Sequence, residues 1–170
     1  MDNKNTAVES GYEFDFSGTK FEYVDKPENR VQGLSSVDFV VETETHILFI
    51  EVKNPDNPQA TEENKKEFYQ TIRNHELIAE IGRKFKDSLL RRYAEGFEFA
   101  KPVKYIFILQ FDRYYAKQRA KFRKSIINDY IPVKKLNSGQ FKAFHKFESF
   151  EMPNIERFSK DYHFSVQEVK

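Results

Sequence analysis

The 170-residue chain is 39% hydrophobic, 32% charged and 16% aromatic, a composition that predicts one globular domain rather than two. It contains no cysteine, which excludes disulfide bonds, cysteine-ligated zinc and thiol catalysis. No stretch approaches the ~20 apolar residues of a membrane span, and the first residues lack a signal-peptide pattern. We therefore expect a cytoplasmic protein that does not contact a membrane.

Charge is segregated along the chain, although the formal net charge is only +1. Residues 1 to 80 hold 8 Lys and Arg against 17 Asp and Glu, residues 81 to 124 hold 13 against 4, and residues 125 to 170 hold 7 against 6. A basic middle segment favours binding to a polyanion, whereas an acidic first part favours binding to cations. Two solvated faces of opposite charge would give the same counts, so charge alone does not decide between these interpretations.

The first part of the chain is predicted to be β-structure. Residues 1 to 19 favour a short strand or an arm because aromatic residues alternate there, and residues 20 to 25 alternate as a strand that ends before Pro27. Residues 37 to 42 and 46 to 52 are β-branched and aromatic runs separated by a few polar residues. This pattern predicts a hairpin.

Helices alternate with strands after the hairpin. A helix is predicted from an N-cap at Thr61, with a bend at Gly82 and an end near Gly96. Residues 103 to 111 are nearly all apolar, which predicts a central strand with helices on both faces of the sheet. The remaining predicted elements are a basic helix over residues 114 to 128 and two strands over residues 141 to 150 and 162 to 169.

The candidate site lies in the predicted hairpin. If the loop around Glu44 and Thr45 has an even number of residues, the register places Asp38 directly across from Glu51. Opposed side chains have Cβ atoms ~4.5–5.5 Å apart, so two carboxylates there destabilise the pair unless a cation intervenes or one carboxyl is protonated. Because side chains alternate along a strand, Lys53 lies on the same face as Glu51.

This arrangement suits metal-assisted hydrolysis of a phosphodiester. Carboxylate oxygens hold Mg²⁺, Mg²⁺ polarises a phosphate and acidifies a bound water, and a lysine positions or deprotonates that water. The alternative is an ordinary salt bridge between Lys53 and one carboxylate, because Glu-x-Lys is common on exposed strands.

The pattern resembles the PD-(D/E)xK nuclease superfamily, which has the restriction-endonuclease-like fold. The matching residues are Val37-Asp38, twelve intervening residues and Glu51-Val52-Lys53, followed by a predicted helix, strand and helix. The resemblance implies an α/β fold in which helices flank a mixed central β-sheet. It also implies that Asp38, Glu51 and the Val52 carbonyl bind Mg²⁺ or Mn²⁺, and that Lys53 aligns the attacking water.

Two features depart from the superfamily pattern. Val37 stands where the motif has proline, which contributes no ligand. Many members also supply a further acidic residue from an N-terminal helix, whereas this N-terminus is not predicted to be helical. The candidates for that acid are Glu9, Glu13 and Glu22.

The resemblance further implies the substrate and the partners. We expect one nuclease-like domain over residues 1 to 170, with its core at about 20 to 125 and a C-terminal strand extension at 140 to 170, acting on nucleic acid with DNA as the expected substrate. Endonuclease and exonuclease action both remain open, and so does a homodimer or an additional protein partner. The expected contacts to backbone phosphates are the basic residues Arg83, Lys84, Arg91, Arg92, Lys117, Arg119, Lys121, Arg123 and Lys124.

The second interpretation keeps the nuclease-like fold but assigns it no catalysis. In this interpretation the protein is a nucleic-acid-binding or protein-interaction module. The balanced net charge and the unassigned N-terminal acid favour it. Cleavage in the presence of a divalent metal distinguishes the two interpretations.

Overall fold

The computed structural model describes residues 5 to 110, 119 to 131 and 147 to 169. These residues form an α/β structure with one mixed five-stranded sheet, one antiparallel three-stranded sheet and four α-helices. The predicted mixed sheet with helices packed against it is confirmed. Parts of the predicted helix at 114 to 128 and of the predicted strand at 141 to 150 lie outside the described residues.

The five-stranded sheet contains the predicted hairpin and the predicted central strand. Across the sheet, the first two pairs of neighbouring strands are antiparallel, and the last two pairs are parallel. In spatial order the strands are β3 (Lys20–Tyr23), β4 (Phe39–Glu42), β5 (Ile47–Lys53), β6 (Val103–Leu109) and β7 (Phe147–Glu151).

The predicted register of the hairpin is confirmed. Phe39 pairs with Ile50 and Glu42 pairs with Ile47, so the next pair outward is Asp38 with Glu51. The turn at Glu44 and Thr45 sets this register, because it has two residues and is closed by a hydrogen bond of 2.9 Å from the Thr43 N–H to the His46 carbonyl.

A second sheet of three strands covers one face of the large sheet. Its strands are β1 (Thr6–Glu9), β2 (Tyr12–Asp15) and β8 (Ser165–Glu168), with β2 in the middle. Phe14 and Phe16 pack with Ile50 in the core between the two sheets. The prediction of helices on both faces is therefore confirmed only in part, because β-structure covers this face together with a helix whose Phe158 packs with Ile106 and Ile108. The alternating aromatics of the N-terminal segment provide the apolar face of that sheet.

Four α-helices complete the described fold. Helix α2 packs on the face of the large sheet opposite the small sheet, where its Ile81 and Phe85 meet Phe49 of β5. The helices are α1 (Glu62–Arg73), α2 (Glu76–Ala94), α3 (Arg119–Ser125), which continues into a π-helical turn at Ile126–Tyr130, and α4 (Ile155–Tyr162). Helix α4 was not predicted and packs with the small sheet.

The long predicted helix is interrupted at a different place from the one predicted. Thr61 is the N-cap, as predicted, and its side chain accepts a hydrogen bond from the Asn64 N–H at 3.2 Å. The interruption lies at His75, which has a left-handed φ of 61°, and not at Gly82. Histidine adopts this conformation more readily than most residues, but no glycine or proline marks the position.

Gly82 instead permits a close approach between α2 and the turn after α3. A Cβ atom added at Gly82 would overlap the Cβ atom of Tyr130. Because the Tyr130 Cβ lies next to its backbone, the overlap cannot be relieved by a side-chain rotation. The glycine is therefore a packing residue within a continuous helix.

We expect Gly82→Ala to lower the free energy of unfolding by about 1–2 kcal/mol. Overpacking costs about 1–3 kcal/mol, and alanine regains up to about 1 kcal/mol of helix propensity. Urea denaturation measures the change. In the Gly82→Ala, Tyr130→Gly double variant the Tyr130 Cβ atom and the overlap are absent, so the alanine at 82 should no longer destabilise relative to Tyr130→Gly alone. Equal losses in both backgrounds would contradict this explanation.

Candidate active site

Asp38 lies immediately before β4, and its side chain ties the two strands of the hairpin together. Its Oδ2 accepts a hydrogen bond from the Val52 N–H at 2.7 Å. The residue is buried. Because Oδ2 is bonded to the backbone, Oδ1 is the oxygen that faces the Lys84 ammonium. A backbone N–H thus holds the carboxylate in place through Oδ2.

Glu51 is fully buried, and it is neutralised by a lysine of α2. The Lys84 Nζ lies 2.8 Å from Glu51 Oε1 and 2.9 Å from Glu51 Oε2. The same Nζ is 3.9 Å from Asp38 Oδ1. A single positive charge therefore lies within reach of both carboxylates that the hairpin register brings together.

Lys53 extends from the end of β5 onto the same face as Glu51, as predicted. Its Nζ is 3.0 Å from Glu51 Oε1 and 3.4 Å from Glu80 Oε1. Burial alone would lower the pKa of Lys53, but the carboxylates of Glu51, Glu80 and Asp38 raise it above its ordinary value. Lys53 is therefore an ammonium group at neutral pH, suited to holding and orienting a ligand rather than to removing its proton.

The two carboxylates disfavour each other's charge. Burial, followed by the negative charge of Glu51, raises the pKa of the Asp38 carboxyl well above its usual range, and the Lys84 charge opposes part of this rise. A cation near Asp38 and Glu51 therefore stabilises the ionised pair. Clusters of this kind occur at functional sites more often than elsewhere in proteins.

The N-terminal hairpin places Glu9 next to this cluster. The Tyr23 hydroxyl donates a hydrogen bond to Glu9 Oε2 at 2.5 Å, and the Glu9 charge contributes to the raised pKa of Asp38. The Ser10 hydroxyl lies 3.0 Å from Glu9 Oε1 and 3.3 Å from the Val52 carbonyl oxygen. Of the acids considered from the sequence, Glu9 is therefore the one beside the site, and it comes from a strand instead of a helix.

The other two candidate acids lie elsewhere. Glu13 is exposed on β2. Glu22 forms ion pairs with Arg91 at 3.6 Å and with Arg92 at 2.6 Å. Its carboxylate therefore stabilises the packing of α2 against β3.

The basic residues predicted to contact phosphate separate into three groups. Lys84 is buried between the carboxylates, and Arg91 and Arg92 are held by Glu22 and Glu95, so these three serve the internal structure of the protein. Lys117 lies outside the described residues. Arg119 is half-buried. The remaining residues are exposed: Arg83, Lys121, Arg123 and Lys124.

The periodicity of α2 contains a signal that Lys84 faces inward. Leu77, Ile81 and Ser88 are buried, and position 84 falls among them at helical spacing. Sequence reasoning grouped this lysine with its exposed basic neighbours, and therefore missed its role in the site.

Comparison of the chain with protein-family models, curated proteins and solved structures finds no match. None of the helices within the described ranges combines the length and the apolar character needed to cross a lipid bilayer.

The site has the oxygen donors that a hard divalent cation prefers. Glu51 Oε1 is buried without a hydrogen bond from any described residue, although two ammonium groups lie near it. The described residues contain no group of three or more acidic or histidine side chains placed to hold a metal ion. A metal here would be held by Asp38, Glu51 and the Val52 carbonyl, with water completing its coordination. The chemistry of these donors fits Mg²⁺ or Mn²⁺.

Proposed function

We propose that this protein is a divalent-metal-dependent nuclease that hydrolyses phosphodiester bonds, with DNA as the expected substrate. The observation that carries the proposal is the convergence of the Asp38 and Glu51 carboxylates on one cationic position, with the Lys53 ammonium 3.0 Å from Glu51. Such a buried acidic pair needs a positive partner, and a phosphodiester needs positive charge around its oxygens during hydrolysis.

The order of elements supports the finer proposal of a restriction-endonuclease-like fold. The acidic hairpin β4–β5 is followed by helices α1 and α2, the parallel strand β6 and the basic helix α3. This is the order of elements that the resemblance to the PD-(D/E)xK superfamily implies. The site lies at the carboxyl ends of the parallel strands, where ligands bind in open α/β sheets.

Each residue of the site has a distinct role in this proposal. Mg²⁺ held by Asp38, Glu51 and the Val52 carbonyl would polarise the phosphate and acidify a water molecule. Lys53 donates hydrogen bonds that orient this water or a phosphate oxygen, and its pairing with Glu80 holds the amine beside Glu51. Asp38 and Glu51 are already oriented by the hairpin, so little reorganisation is needed.

Lys84 must move away from the two carboxylates for a metal to contact both of them. Asp25 Oδ2 lies 3.7 Å from the Lys84 Nζ and provides an alternative partner for the amine. The Lys84 side chain is long and unbranched, so it can exchange one carboxylate for another without a change in the helix.

The second candidate function is a non-catalytic binding module on the same fold. The observation that favours it is that Lys84 already neutralises Asp38 and Glu51, so the acidic pair is stable without a metal. In that case the protein binds DNA in a salt-dependent manner, does not cleave it in Mg²⁺ or Mn²⁺, and gives no heat of metal binding in calorimetry.

We expect wild-type protein to cleave plasmid or single-stranded DNA in Mg²⁺ or Mn²⁺, and Lys53→Met to be on the order of 100-fold slower. Gel electrophoresis of the products over time measures the rates, with EDTA as the metal-free reaction. Lys66→Met, which removes the same charge from an exposed position of α1, is the matched control. Equal rates for Lys53→Met and Lys66→Met would remove Lys53 from the mechanism, and binding without cleavage by wild type would select the second function.

A further inference from the structure

A cavity of about 620 Å³ lined by three arginines lies near the carboxyl ends of the parallel strands. Arg119 and Arg123 come from α3, and Arg157 comes from α4. The residues that end and follow β7, at positions 151 to 153, form part of its wall. We call this feature the arginine cavity.

The arginine cavity and the candidate active site both lie at the carboxyl ends of the parallel strands of the large sheet. Arg119 Nη2 donates a hydrogen bond of 2.5 Å to the carbonyl of Leu109, which ends β6 and pairs with Lys53 in the parallel register. Neighbouring strands are ~4.8 Å apart, so the Arg119 guanidinium lies roughly 10 Å or less from the Lys53 backbone. One extended ligand can therefore contact both places.

The positive charge of Arg119 and Arg123 is not neutralised by described residues. Arg119 donates to the Leu109 carbonyl, and Arg123 Nη2 donates to the Phe150 carbonyl at 3.0 Å. Neither forms an ion pair within the described ranges, and the Arg119 Nε is buried there without a hydrogen-bond partner. Carbonyl groups orient the two guanidinium groups, and no described carboxylate compensates their charge.

Arg157 adds a third charge, and its existing partner binds it weakly. It pairs with Asp161 at 3.0 Å on the surface of α4, where its side chain is 74% exposed. Exposed pairs of this kind contribute about 0–1 kcal/mol, so the guanidinium is available for another anion. Burial lowers the pKa of Arg119, and the nearby positive charge of Arg157 lowers it further.

Among the described residues that line the arginine cavity, the one acidic residue, Glu151, is already engaged. Glu151 Oε2 accepts a hydrogen bond from the Tyr162 hydroxyl at 2.8 Å. Its Oε1 accepts one from the Ser149 hydroxyl at 3.1 Å and lies 3.5 Å from Lys104 Nζ. The described part of the cavity wall therefore presents guanidinium donors without a free carboxylate to neutralise them.

We propose that the arginine cavity binds a phosphate group of the nucleic acid that is cleaved beside Lys53, an inference that rests on the proposed function. Guanidinium groups match phosphate oxygens with paired donors, and this geometry suits a group with several anionic oxygens. Duplex DNA rises about 3.4 Å per nucleotide along its axis and an extended strand rises more, so the distance to Lys53 spans at most about three nucleotides. The bound group is an internal backbone phosphate or a terminal phosphate.

Binding of a short single-stranded DNA, labelled with a fluorophore at its 3′ end, tests this inference by anisotropy in EDTA. We expect Arg157→Gln and Arg123→Gln each to weaken binding about tenfold and to reduce the slope of log K against log salt by about one. Arg73→Gln removes the same charge from an exposed position of α1 and should stay within about twofold of wild type. Thermal melting confirms folding, which Arg157→Gln should preserve because the side chain is exposed.

The two sources of phosphate are separated by the 5′ end of the probe. If the cavity holds a terminal phosphate, wild type binds 5′-phosphorylated DNA more tightly than 5′-hydroxyl DNA, and Arg157→Gln removes the difference. If it holds a backbone phosphate, the variants lose affinity equally for both probes. Affinities of both arginine variants equal to that of Arg73→Gln would overturn the inference.

The absence of metal in this experiment keeps the inference separate from the proposed nuclease activity. A wild-type protein that binds DNA through Arg123 and Arg157 but never cleaves it would confirm the cavity and end the proposal of catalysis. A protein that cleaves DNA but binds it equally well without these arginines would overturn the inference about the cavity and support the proposed nuclease activity.

Discussion

In EDTA, Lys84→Met should unfold with a free energy about 3–5 kcal/mol lower than that of wild type, and Mg²⁺ should restore much of this loss. Removing the ammonium leaves the buried Asp38 without its nearest cation and Glu51 with Lys53 alone, and removal of one partner from a buried ion pair has a cost of this size. A metal bound by both carboxylates replaces the lost charge. At a metal concentration of about 100 times Kd, binding stabilises the folded state by about 2.7 kcal/mol.

Thermal and urea unfolding with and without Mg²⁺ measure this effect. Lys86→Met is the matched control, because Lys86 lies two residues away on the exposed side of α2. The Asp38→Asn, Lys84→Met double variant should be more stable than Lys84→Met in EDTA and should lose the response to Mg²⁺. If Mg²⁺ leaves the stability of Lys84→Met at its value in EDTA, the carboxylate pair does not bind metal, and the non-catalytic function is favoured.

The Glu51→Gln variant is expected to lose DNA cleavage by on the order of a thousandfold. A metal contributes several kcal/mol to stabilising the charge that develops on a phosphate, and about 1.4 kcal/mol corresponds to a factor of ten in rate. The glutamine has nearly the same shape as glutamate, so the hairpin packing is retained while a metal ligand and a partner of Lys53 are weakened.

This prediction is measured as the initial rate of plasmid cleavage, at a temperature well below the unfolding midpoint of the variant. Glu63→Gln makes the same substitution at an exposed position of α1 and should cleave as wild type does. Calorimetry with Mg²⁺ adds a second readout, in which Glu51→Gln should bind the metal more weakly. Unchanged cleavage by Glu51→Gln would show that the activity belongs to another site.

The part of the site that depends on strand pairing could be predicted from the sequence. An even-membered loop around Glu44 and Thr45 sets the register of the two apolar runs, and this register brings Asp38 opposite Glu51. The alternation of side chains then fixes the face on which Lys53 lies. These relations are local, because they involve residues separated by one short turn.

The contributions from distant segments could not be predicted in the same way. Lys84 reaches Glu51 only because α2 packs across β5, and Glu9 reaches the site only because the small sheet covers the other face of the large one. The interruption at His75 was missed because a left-handed residue other than glycine leaves little trace in a sequence. Gly82 predicted a helix break, but the structure shows that this glycine permits a close contact with Tyr130, a residue far along the chain.

The pairing of β2 with β8 has a consequence for how the protein is made. Gly11 and Val169 are joined by a backbone hydrogen bond of 2.9 Å, so the turn that carries Ser10 is held by residues that are synthesised long after it. Contacts between such distant residues form slowly compared with local ones. A nascent chain that has completed the acidic hairpin still lacks the strand that steadies Glu9 beside it, and the fully arranged centre therefore arises only after translation has passed residue 168.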